Sequence, residues 1–200
     1  MKVILTENQF RELLSEITME EVDERSIDVN VDPTEKQKHA GNYKKGHIYV
    51  KGMGISIENP RYTDRKWFNT ETNESGSTML MNHYGYFRNT HGNGKDGDAV
   101  DVFLGEHLED FDTVYVVDQN NQNGEFDESK VMIGFLDKES AKQAYLDNYS
   151  KGWDRIKDIT SVSIPVFKKW LYRKHKQRKP FAEYVYILKH KTDEKEMATD

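Results

Sequence analysis

The 200-residue chain is long enough to bury one core and short of demanding two; only 36% of it is hydrophobic, but 12% is aromatic, which supplies core area in large rings. A net charge of -6 argues against a general affinity for nucleic acid, which recruits proteins through clustered Lys and Arg. The absence of cysteine excludes disulfides, thiolate metal sites and cysteine nucleophiles together, so any metal must be held by oxygen or imidazole.

At the start of the chain, Thr6 and Gln9 have capping-box spacing and Phe10, Leu13, Leu14 and Ile17 recur at helical intervals. This predicts an amphipathic helix from about Glu7 to Val22, suited to docking on a partner and forming an N-terminal unit over 1–22. MKVILTENQF lacks the apolar run of a signal peptide, and no stretch approaches the roughly 20 apolar residues that span a bilayer. A soluble, cytoplasmic protein is therefore expected. Residues 23–45 are charged or polar with almost no apolar periodicity and read as a linker. The main domain is expected over 46–190, with a charged tail at 191–200.

Within that domain, His47 to Glu58 alternates β-branched and aromatic residues with Gly and predicts one or two strands. Thr70 to Thr78 reads as a loop. Met79–Phe87, Ala99–Leu104, Thr113–Val117 and Lys130–Phe135 read as further short strands between Gly, Asn and Asp turns, a pattern that favours a barrel or sandwich. The period then changes: Ala141, Ala144, Tyr145 and Tyr149 share a helical face, and Pro165 opens a second helix through Phe167, Trp170 and Leu171. Arg173 to Lys179 reads as a basic, solvated helix end, and Tyr184 to Leu188 as a last strand.

The segment Lys95 to Gly105, KDGDAVDVFLG, sets Asp96, Asp98 and Asp101 immediately before an apolar strand. Packing that much like charge against a hydrophobic strand is unfavourable unless a cation neutralises it. Carboxylates without imidazole or thiolate suit hard ions, and Mg²⁺ takes one or two carboxylates, waters and substrate phosphates. An Asp-Gly hairpin turn is the plain alternative. An EF-hand calcium loop is not, because Val100 and Asp101 stand where it needs an oxygen ligand and Gly. His47, His83 and His91 show no metal spacing and read as structural or surface residues.

The surrounding stretch, NHYGYFRNTHGNGKDGDAVDVFL from Asn82 to Leu104, resembles the signature of family I soluble inorganic pyrophosphatases, a YGY strand followed by D-G-D-x-x-D before an apolar strand. The nearer likeness is to a branch of pyrophosphatase-like domains in bacteriophage and mobile-element proteins, on the ordered blocks ISIENP (Ile55–Pro60), HYGY (His83–Tyr86), DGDAVDVFLG (Asp96–Gly105), VYVVDQ (Val114–Gln119), FDESKVMIGF (Phe126–Phe135) and FKKWL (Phe167–Leu171). The resemblance implies an α+β fold, a small closed OB-like β-barrel flanked by two or more helices. It also implies Mg²⁺-dependent hydrolysis of pyrophosphate to two phosphates by metal-activated water.

Carried across by residue, it implies Asp96, Asp98, Asp101 and Glu128 as metal ligands, with Asp98 also the general base and Asp118 the loosest match among the ligands. Glu58 matches an active-site glutamate, Tyr84 a phosphate-side hydroxyl, Lys130 and Lys168 phosphate-binding lysines, and Asp127 accompanies Glu128 in the second acidic block. The chain departs from the family in having Ala99 in place of Pro and no Arg or Lys between Lys66 and Tyr84. Arg65 is then the implied electrophilic cation, with Arg61, Lys66 and Arg88 as substitutes. The expected partners are pyrophosphate or phosphate, with no membrane; homo-oligomerisation is left open. Two alternatives stay open: a weakened domain kept as a binding or packaged module, and a hydrolase of a larger pyrophosphate-containing substrate such as a nucleotide.

Overall fold

The Lys51-Gly52 dipeptide takes two successive positive φ angles, 47° and 75°, and closes β1 (Gly46–Val50) and β2 (Met53–Asn59) into a two-residue hairpin. This computed structural model describes residues 17–69, 73–94, 97–174 and 178–197. Ahead of the hairpin lie α1 (Met19–Ser26), opened by a Thr18–Glu21 capping box, and the short α2 (Glu35–Ala40), opened by Thr34 and Gln37. Beyond it, β3 (Asp64–Asn69) and β4 (Glu74–Met79) pair only with each other. The remaining strands are β5 (His83–Phe87), β6 (Asp101–Leu104), β7 (Thr113–Asn120), β8 (Phe126–Ile133) and β9 (Ile156–Ser163). They join the first hairpin in one seven-stranded sheet ordered β1-β2-β5-β6-β8-β7-β9. Every neighbour is antiparallel except the β6–β8 pair.

Alternation along the strands divides the core in two. Val102, Leu104, Val114, Val116, Val131 and Ile133 share one face with Phe167, Trp170 and Leu171 of α4 (Ile164–Leu171) and Phe181 of α5 (Phe181–Met197). Phe103, Tyr115, Val117 and Met132 share the other with Ala141 and Tyr145 of α3 (Lys138–Asp147). The molecule is thus a mixed α+β fold with five helices among the described residues, and none of those helices is long and apolar enough to cross a membrane. Closure of the sheet into a barrel is not seen among the strand pairings of the described residues.

Several sequence expectations need correction. Tyr184 to Leu188 is not a strand but part of α5, because a short apolar run is equally consistent with either element and the Asp118 carboxylate caps the first amides of this helix. Residues 74–78 form most of β4 rather than a loop, polar because their side chains are mostly exposed. The strand β9 has no counterpart among the expected strands, because IKDITSVS breaks up its apolar residues with exposed polar ones. β7 runs on to Asn120, and β8 begins at Phe126, which puts Glu128 and Lys130 on one strand. The basic run after α4 lies outside any helix at its described residues, and residues 175–177 are outside the description. Of the helix expected from Glu7 to Val22, residues up to 16 also lie outside it, and the helix seen starts at Met19. The charged stretch after it contributes the end of α1 and all of α2.

A buried histidine ties α1 to the sheet. His83 is 1% exposed; its Nδ1 accepts from the Arg61 backbone N–H at 3.3 Å, and its Nε2 lies 3.0 Å from Asp23 Oδ1. An N–H pointing into Nδ1 requires the neutral ring with its proton on Nε2. Burial accordingly holds the imidazole below the ordinary histidine range, against the pull of Asp23. A depressed pKa means that the folded chain binds fewer protons than the unfolded one, so this contribution is complete above about pH 6.5 and is lost as pH falls below it. Thermal unfolding between pH 7.5 and 5.5 should show a falling midpoint, and His83→Gln should flatten that slope; an equal slope in both proteins would contradict the assignment.

Candidate functional site

The parallel β6–β8 register aligns Val102 with Val131, which sets Asp101 beside Lys130 on the α3 face of the sheet. The Lys130 ammonium bonds Asp101 Oδ2 and lies 2.7 Å from Glu128 Oε1, its side chain only 4% exposed. From β5, the Tyr84 hydroxyl donates to the same Asp101 oxygen at 2.6 Å and accepts from Lys130 Nζ at 3.3 Å and an Arg65 Nη at 3.2 Å. The Arg65 guanidinium comes from β3 and stands 4.3 Å from the centre of the Tyr84 ring. Two cations, a phenol and two carboxylates therefore meet in one network.

The environment reinforces the charge states. Burial pushes the Tyr84 phenol well above its usual range, so it stays a neutral donor. The Tyr84 oxygen beside Arg65, with Tyr149, Asp101 and Glu128 behind it, raises the guanidinium further, and burial is the opposing effect. Burial alone would depress the Lys130 ammonium, but Asp101 and Glu128 outweigh it and hold the group well above the ordinary lysine value. Burial also raises the Glu128 carboxyl, with Lys130 pulling it down and Asp101 pushing it up.

Glu58 reaches the site through a break in register. β2 pairs Ile57 with Gly85 and Asn59 with Tyr84, leaving Glu58 as the extra residue of a bulge that re-aims its side chain. Gly85 is required opposite it, since a Cβ there would stand 2.0 Å from the Ser56 carbonyl oxygen. The Glu58 carboxylate accepts from the Tyr43 hydroxyl and lies 3.0 Å from Lys45 Nζ, whose side chain is 9% exposed. Lys45 is further caged by the rings of Tyr43 and Tyr86, at 4.3 and 4.8 Å from their centres.

Asp98 is presented by the loop before β6. The Gly92 N–H donates to the Asp98 carbonyl at 2.5 Å, and a Cβ on Gly92 would lie 2.8 Å from that oxygen. Asn93, 3% exposed, fastens the loop by donating to Ser129 Oγ at 2.8 Å and the Lys179 carbonyl at 2.9 Å while accepting from the Ser129 N–H at 3.1 Å. The result is a cavity of about 360 Å³ whose lining includes the carboxylates of Glu58, Asp98, Asp101 and Glu128 and, among them, Arg65, Lys66, Lys130 and Tyr84. Val31, Asp32, Pro33, Lys38 and Tyr43 also line it, from the stretch between α1 and β1.

Other expected site residues are not brought there. Along β7, Asp118 shares the parity of Val114 and Val116 and so points to the α5 face, fully buried. It accepts from Ser129 Oγ at 2.5 Å and from the first amides of α5, Phe181 at 2.8 Å and Ala182 at 3.0 Å. It acts as a remote helix cap. Lys168 bonds the Lys51 carbonyl at the β1–β2 turn. Arg61 is held by Asp23 at 2.9 and 2.5 Å and by Glu106 at 2.6 Å, Arg88 lies over the Tyr49 ring, and Asp127 accepts from Gln119 Nε2 at 3.0 Å. Asp96 lies outside the described residues.

No group of three or more His, Asp and Glu side chains that could hold a metal is found among the described residues. The donor chemistry still fits a hard cation, because the five carboxylates lining the cavity, Asp32 included, offer only oxygen. The sequence reading missed Tyr43, Lys45, Lys38 and Asn93. The signals were faint: an aromatic and a lysine two apart before a strand, a lysine in a charged stretch, and an Asn between glycines in HGNG. A comparison with protein families matches residues 35–172 to the family described as Inorganic Pyrophosphatase. No significant match to a curated protein is found.

Proposed function

The chain belongs to the inorganic pyrophosphatase family, and from that membership we propose that it hydrolyses inorganic pyrophosphate to two phosphates with the help of Mg²⁺. The single observation that carries this reading is the meeting of four carboxylates from β2, the Asp98 loop, β6 and β8 with Arg65, Lys66 and Lys130 around one cavity. Asp98, Asp101 and Glu128, together with Asp96 by sequence, would hold Mg²⁺, which when bound neutralises phosphate charge and acidifies water. We also read the seven-stranded sheet, with the β3–β4 hairpin carrying Arg65 to one face, as the counterpart of the family's small OB-like barrel.

The chain's own residues supply the rest. Asp98 takes a proton from the attacking water as the new P–O bond forms. The bridging P–O bond breaks, and the charge left on the departing phosphate is met by Arg65 and by the Tyr84 hydroxyl once its proton turns from Asp101. Lys130 fixes Asp101 and Glu128 at one ammonium, so these carboxylates need little reorganisation when substrate arrives. Positioning and electrostatics are where most of the rate in phosphoryl transfer originates.

Phosphate release by the full chain should be seen with pyrophosphate and Mg²⁺, stop with excess chelator, and be at least about tenfold slower with nucleoside triphosphates. Faster release from a nucleoside triphosphate would transfer the reading to a larger substrate. Release from neither would leave a binding module.

A further inference from the structure

The stretch between α1 and β1 roofs the cavity with both signs of charge, and this carries an inference that rests on the proposed pyrophosphate chemistry and deepens it. Asp32 and Lys38 line the roof, and Lys66 lines the rim from β3. The Asp32 carboxylate lies 2.8 Å from Lys66 Nζ, with side chains 70% and 66% exposed, and Lys38 Nζ lies 2.8 Å from Glu35 Oε1, with side chains 50% and 88% exposed.

Two features single out these lysines from the other cations of the cavity. Lys130 is buried and engaged by two carboxylates, and Arg65 is stacked under Tyr84, so both are fixed parts of the wall. Lys38 and Lys66 are on long, half-exposed side chains whose ion pairs are of the weak kind that solvent screens. A single carboxylate with one negative charge holds such an ammonium less firmly than a phosphate with two or more charges and three acceptor oxygens. Both lysines act on Asp32, holding its carboxyl below the usual range, Lys66 first by hydrogen bond and charge and Lys38 by charge.

We propose that Lys38 and Lys66, which line the same cavity, form a phosphate subsite at its mouth, and that Asp32, paired with Lys66, serves there as an internal stand-in for the outer phosphate. Substrate then displaces a carboxylate of the chain, and the two lysines grip the phosphate remote from Asp98. This places specificity for a second phosphate on residues outside the D-G-D-x-x-D segment, in a chain with no Arg or Lys between Lys66 and Tyr84.

The proposal has an asymmetric signature that a merely structural roof lacks. Isothermal titration of the full chain with imidodiphosphate, a non-hydrolysable pyrophosphate analogue, in the presence of Mg²⁺ reads it directly. Lys38→Ala and Lys66→Ala should each raise Kd about five- to tenfold, Lys38→Arg should restore most of the loss, and Asp32→Asn should lower Kd about threefold, effects that shrink as salt rises. Unchanged affinity in Lys38→Ala, or weaker affinity in Asp32→Asn, overturns the proposal. Wild-type binding without turnover would remove the hydrolase reading and leave the subsite standing, whereas no wild-type binding at all overturns both.

Discussion

Replacing Asp98 with Asn should lower phosphate release from pyrophosphate by about a thousandfold, within the range that a positioned general base contributes. The substitution keeps the shape of the side chain and removes its ability to take a proton. Asp98 is exposed at the cavity, and isosteric changes at exposed positions usually alter stability by less than about 0.5 kcal/mol. The variant should therefore unfold at nearly the wild-type denaturant concentration and, with Asp101 and Glu128 still present to hold Mg²⁺, bind imidodiphosphate more weakly but measurably. Turnover within tenfold of wild type would remove Asp98 from the chemistry, and a collapse in stability would make it a structural residue of the loop that Gly92 and Asn93 fasten.

Lys130→Met should show the opposite balance, costing both fold and function. The ammonium is nearly enclosed and bonded to Asp101 and Glu128, whose side chains are 20% and 29% exposed. Removing it leaves two carboxylates facing each other in a poorly solvated site, a change that costs about 3–5 kcal/mol when a buried pair is broken from one side. Turnover should fall at least about a hundredfold, because the two acids lose the group that positions them. The sign with pH is specific. Without the cation, nothing opposes the burial that raises the Glu128 carboxyl, so the variant should regain part of its lost stability as pH falls into the carboxylate range. Urea unfolding at neutral and mildly acidic pH measures this. A deficit that stays constant or grows on acidification would contradict it.

How much of this was legible in the sequence follows from what each residue's partners are. Asp101, Tyr84, Glu58 and Glu128 sit in or beside apolar strands whose alternation can be read, and the structure brings them to one cavity. Asp118 sits in an equally readable strand. Alternation places it on the face of Val114 and Val116, but the chain alone does not say which face carries the cavity and which carries α5. The short run YVYIL fits a strand or a helix, and what decides it is a cap from Asp118, more than sixty positions earlier.

The stretch between α1 and β1 was opaque for a different reason. Its contacts are polar and remote, joining Asp32 to Lys66, and Tyr43 and Lys45 to Glu58. Such contacts leave no apolar period, so a segment that roofs the cavity has the composition of a linker. The glycines gave more than their number suggests. Gly85 and Gly92 stand where the backbones of the bulge and the Asp98 loop approach too closely for any side chain.

Crystals of the full chain soaked with Mn²⁺ and phosphate, measured at the manganese absorption edge, test the central claim most directly. An anomalous peak should lie inside the cavity among the carboxylates of Asp98, Asp101 and Glu128, with phosphate between it and the Arg65 and Lys66 side chains. Manganese bound only elsewhere on the surface, with these carboxylates turned to bulk solvent, would contradict the account.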